Sequence, residues 1–84
     1  MEDQIREKIF DLLRKFSQSD IEICYDSMLS NLDISYIDFA KLLGEIEDEY
    51  DLFLAIESMS EFETVKDFCE NVIDLYNEVN GERL

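Results

Sequence analysis

The chain contains no proline, no histidine and no tryptophan, and its only glycines are Gly44 and Gly81. Without proline-rich or glycine-rich stretches nothing marks a linker, so the 84 residues read as one domain, residues 1–84. The absence of histidine removes the commonest general base and the commonest transition-metal ligand. Two cysteines, Cys24 and Cys69, are too few for a zinc cluster. No 12-residue window supplies the alternating oxygen ligands, central glycine and closing glutamate of an EF-hand, so the acidity does not imply calcium. With no nucleophile–base pair either, the chain is not expected to be an enzyme. A domain this small buries only about 60% of the surface its unfolded chain exposes. Its work is therefore expected at the surface, by binding or by carrying something.

Basic residues are also scarce. Seven Lys and Arg stand against 22 Asp and Glu, for a formal net charge of −15. Nucleic-acid phosphates and anionic membranes would be repelled. A basic protein surface is the natural complement, and long-range attraction would speed that encounter. No apolar run approaches the length of a membrane span, so no membrane insertion is expected. The opening residues Met1-Glu2-Asp3-Gln4 are acidic and lack the apolar core of an export signal. A reducing cytoplasm, with free thiols, is the expected setting.

Hydrophobic periodicity is what the chain does have. From Glu2 to Phe16, Ile5, Ile9, Leu12, Leu13 and Phe16 recur at three- and four-residue steps and predict an amphipathic helix. A connection from Ser17 to Ile34 follows, rich in apolar residues (Ile21, Ile23, Tyr25, Met28, Leu29, Leu32), which predicts that it packs on the bundle. Ile21 and Ile23 alternate as in a strand, but a lone strand would have no partner. Ser35 with Asp38 three positions on is a capping-box pattern, opening a helix over Tyr36–Tyr50. Phe39, Leu42, Leu43, Ile46 and Tyr50 form its apolar stripe. Residues 51–63 carry the apolar anchors Leu52, Leu54, Ile56, Met59 and Phe62, with a short helical turn predicted around Ser58 to Phe62. Thr64 caps a last helix lined by Val65, Phe68, Cys69, Val72, Ile73, Tyr76 and Val79 and stopped by Asn80-Gly81. Cys69 lies on this inner stripe and is expected to be a buried structural thiol.

The stretch Leu32-Asp33-Ile34-Ser35-Tyr36-Ile37-Asp38-Phe39, continued to Ile46-Glu47-Asp48-Glu49-Tyr50, resembles the acyl and peptidyl carrier proteins. That family reads Leu-Gly-x-Asp-Ser-Leu/Ile, then an apolar helix ending in Leu-Glu-Glu-Glu-Phe. Phe62-Glu63-Thr64-Val65-Lys66-Asp67-Phe68 is similar to the family's Thr-Val-x-Asp entry into its last helix. The resemblance runs over essentially the whole chain and is strongest from Leu32 onward. It implies an all-α fold, a small four-helix bundle with a long loop between helices 1 and 2 and a short helix 3.

The resemblance further implies a carrier of a fatty-acid, polyketide or nonribosomal-peptide type pathway. In that family a serine at the start of helix 2 receives 4′-phosphopantetheine from coenzyme A through a phosphopantetheinyl transferase, and the arm's thiol holds an acyl group as a thioester. The helix dipole and free N–H groups favour a phosphodiester there. In the gapless register Tyr36 takes the serine position, Ser35 the aspartate position and Asp33 the glycine position. Ser35, one residue earlier, is the candidate attachment site, and thioester carriage is expected only if it is modified. The alternative is a domain that is never modified, with Ser35 as the helix cap and Tyr36 as a surface aromatic where the arm would otherwise leave. In both cases the acidic second helix, through Asp38, Lys41, Glu45, Glu47 and Asp48, is expected to dock on basic surfaces of biosynthetic enzymes.

Overall fold

The structure, a computed structural model, describes residues 1–59 and 61–81, apart from the side chains of Ser58 and Met59. Among the described residues the fold is all-α. Helix α1 spans Glu2–Phe16, α2 spans Tyr36–Tyr50 and α4 spans Val65–Gly81, with a single-turn helix α3 at Ile56–Met59 and a 3-10 turn at Leu29–Leu32. The apolar periodicity places all three long helices where they are observed. Their stripes meet in one core that includes Ile5, Ile9, Leu42, Ile46, Phe68 and Val72, joined by Leu32, Leu52 and Leu54 from the segments between the helices.

Side-chain contacts give the packing directions. The Tyr50 hydroxyl lies 3.4 Å from the Gln4 carbonyl, and Lys15 Nζ lies 3.1 Å from Glu45 Oε2, so α1 and α2 run antiparallel. Phe39 packs on Phe68 with ring centroids 5.7 Å apart, and Tyr50 meets Tyr76 edge-on at 5.9 Å, so α2 and α4 run parallel. The N-termini of α2 and α4 therefore share one end of the bundle with the connection that follows α1.

That connection is tied down by backbone hydrogen bonds. Leu29 N–H donates to the Glu63 carbonyl at 2.8 Å, and Val65 and Lys66 N–H donate to the Ser27 and Tyr25 carbonyls, each at 3.0 Å. A single bridge pairs Met28 with Thr64, and Ile21 and Ile23 form no strand. Ile23, Tyr25 and Leu29 pack on the core and Leu32 is fully buried, as expected of a packed connection. Ile21 and Met28 do not follow that expectation and are exposed. The ties between the connection and the start of α4 are made by main chain, so these two side chains are not needed to hold it.

Two further expectations are corrected. The short helical turn lies at Ile56–Met59 rather than Ser58 to Phe62, because Ile56 already packs on the core. Ser60 and the side chain of Met59, part of those expectations, lie outside the described residues. Val79 is exposed, although it continues the α4 stripe. Asn77 already bonds Glu2 at the first turn of α1 (3.2 Å), so Val79 has run past the end of its neighbour.

Candidate functional site

Ser35 has an extended backbone (φ −67°, ψ 160°) and its Oγ accepts the Asp38 N–H at 3.1 Å. That is the N-cap contact expected from the sequence, and the Ser35 carbonyl accepts Phe39 N–H at 2.8 Å. The side chain is exposed, and the cap uses only its acceptor capacity. Tyr36 is the first residue of α2, with 66% of its surface exposed, and Ile37 beside it is exposed to a similar degree.

The two parallel helices differ at this end. In α4 the N–H groups of Val65 and Lys66 are taken by the connection, and Asp67 N–H donates to Thr64 Oγ1 at 3.1 Å. In α2 the N–H groups of Tyr36 and Ile37 have no protein acceptor among the described residues. Two donors at the positive end of a helix dipole thus stay open beside the Ser35 hydroxyl.

Just before the cap, Asp33 adopts a left-handed backbone (φ 53°, ψ 55°) at the end of the 3-10 turn. This conformation favours glycine. It falls at the position where the resemblance places one.

A groove of about 460 Å³ opens next to Tyr36, lined by Met28, Leu29, Ser30, Ile34, Tyr36, Phe39, Glu61, Phe62 and Glu63. Its walls come from the 3-10 turn, the start of α2 and the segment before α4. Aliphatic and aromatic side chains supply most of the lining. Glu61 and Glu63 are the charged residues of the lining, and no Lys or Arg belongs to it among the described residues.

The five acidic-face residues fall into different environments. Glu45 pairs with Lys15 of α1 at 3.1 Å, and Glu49 beside it pairs with Lys8 at 3.8 Å. Glu47 is half-buried and its Oε2 accepts the Leu54 N–H at 2.8 Å, a structural duty that helix periodicity does not reveal. Lys41 and Asp48 are exposed on the outer side of α2, on the same face as Ile37 and Gly44, while Asp38 is half-exposed at the first turn. A Cβ built on Gly44 would meet nothing within 4 Å, so this face is open.

Both cysteines are free thiols, Cys24 exposed and Cys69 buried. Burial pushes the Cys69 thiol up to about 12 from an ordinary 9.0, with Arg6 opposing the shift and Glu70 adding to it. That is the chemistry of an inert core thiol, as its stripe position implied. Among the described residues no three His, Cys, Asp or Glu side chains gather as metal ligands, and no helix is long and apolar enough to cross a membrane.

No protein-family model, no curated protein and no solved structure matches this chain.

Proposed function

We propose that this protein is a carrier-type accessory protein that docks on basic enzymes of a fatty-acid, polyketide or peptide-type pathway, using the acidic surface that begins at α2. The observation that carries the reading is the distribution of charge. Helix α1 holds four of the seven cations and is electrically balanced, while the 24 residues between Lys41 and Lys66 contain eight acids and no base. Glu45 and Glu49 are paired with Lys15 and Lys8 and Glu47 is tied to the Leu54 N–H, which leaves the exposed acids Asp48, Asp51, Glu61 and Glu63 to steer a basic partner into contact. A small four-helix bundle of carrier type, with a long packed connection and a short third helix, is the architecture this reading assigns.

In the reading we favour, Ser35 is the cap of α2 and Tyr36 stands at the arm position as a contact residue. The phenol oxygen of Tyr36 lies several bond lengths further from the backbone than a serine hydroxyl, so it does not substitute for one. A second reading, in which Ser35 carries 4′-phosphopantetheine, is favoured by one observation: the open N–H groups of Tyr36 and Ile37 would receive a phosphodiester on the neighbouring hydroxyl.

Intact mass after incubation with coenzyme A and a broad-specificity phosphopantetheinyl transferase separates the two. No gain in mass, with a normal carrier modified in parallel, is expected for Ser35 as a cap. Gain of one phosphopantetheine that Ser35→Ala abolishes would assign the arm to Ser35. Ser35→Ala is expected to cost about 1 kcal/mol of stability in either case, because the cap is lost.

A further inference from the structure

The groove beside Tyr36 is apolar among Leu29, Ile34, Phe39 and Phe62, and its lining includes Glu61 and Glu63 and, among the described residues, no cation. Its volume of about 460 Å³ suits one or two side chains. An anionic ligand head would meet two carboxylates, and a second copy of this chain would bring another net charge of −15 against the first. An apolar anchor flanked by positive charge satisfies both the lining and the glutamates. Tyr36, largely exposed, offers a ring face to such a cation.

We propose that this groove seats a basic, apolar-anchored segment of the partner protein: one aliphatic or aromatic side chain enters among Ile34, Phe39 and Phe62, and adjoining Arg or Lys residues meet Glu61 and Glu63. The inference rests on the docking reading above and adds a second, anchoring contact at the start of α2. Tyr36 lines the groove and its exposed neighbour Ile37 stands on the outer face, so a single partner segment can run from the groove onto that face of the helix.

The test is an amide NMR titration with three blocked peptides of equal length, one alternating arginine with leucine, one arginine with serine, one glutamate with leucine. The arginine–leucine peptide is expected to shift the amides of Ser30, Tyr36 and Glu63 and to bind tighter than the other two. A Glu61→Gln, Glu63→Gln double variant, which leaves the Leu29–Glu63 backbone bond intact, is expected to weaken it about fivefold. Shifts confined to Lys41 and Asp48 would overturn the groove and leave the docking reading standing. Equal binding of the arginine–leucine and arginine–serine peptides would also overturn it, since no anchor is then needed. No shift at either surface at low salt would overturn both.

Discussion

Glu47 reaches out of α2 to accept the Leu54 N–H at 2.8 Å, and its own carbonyl accepts the Leu52 N–H at 3.2 Å, so this residue ties down the chain after the helix twice. Asp51 turns the chain in a left-handed conformation, Leu52 and Leu54 then point into the core, and Phe53 between them is left 84% exposed. A carboxylate accepting a main-chain N–H is among the stronger neutral–charged contacts, and a half-buried donor left unmatched is costly. Glu47→Ala is expected to lower stability by about 1–2 kcal/mol, with Glu47→Gln recovering part of the loss. Urea midpoints of the three proteins check this. Equal midpoints would show that the bond contributes nothing.

The left-handed backbone of Asp33 predicts a gain from glycine. An L-residue pays for this conformation and glycine does not, although glycine loses more freedom on folding. Asp33→Gly is expected to raise stability by about 0.5–1 kcal/mol, whereas Asp33→Val, branched at Cβ, is expected to lower it. Thermal unfolding of the two variants measures both signs.

Cys69 predicts an alkaline limit to stability. The unfolded thiol ionises near 9.0, while the buried one holds its proton to about 12. Above pH 9 the unfolded chain therefore binds fewer protons than the native one, so stability falls as pH climbs from 9 toward 12 and is unaffected below. The slope is at most about 1.4 kcal/mol per pH unit. Cys69→Ala is expected to flatten the fall between pH 8 and pH 10, whatever its cost at pH 8. In the native protein at neutral pH, iodoacetamide is expected to label the exposed Cys24 and to spare Cys69.

The long helices were legible because each writes its core stripe at helical spacing and its cap in adjacent residues: Ser35 for α2, Thr64 for α4. What escaped was set by contacts between segments. The duty of Glu47 depends on where Leu54 passes, and Glu47 reads in the sequence as one more acid on a charged helix. The pairing of Glu45 and Glu49 with Lys15 and Lys8 depends on the antiparallel approach of α1, which leaves Lys41 and Asp48 as the open charges of that face. Val79 keeps the helical period but lies beyond its neighbour's end, and periodicity carries no information about where a neighbour stops. The groove needs three separate segments to close around it, so no local pattern announces it.

The central claim, that this is a carrier-type domain whose arm position is filled by Tyr36, is tested most directly by intact mass of the Tyr36→Ser variant after incubation with coenzyme A and a phosphopantetheinyl transferase. The account predicts that the variant gains one phosphopantetheine, mapped by fragmentation to position 36, under conditions in which the parent chain gains none. Failure of the variant to gain mass, while remaining folded and with a normal carrier modified alongside, would contradict it.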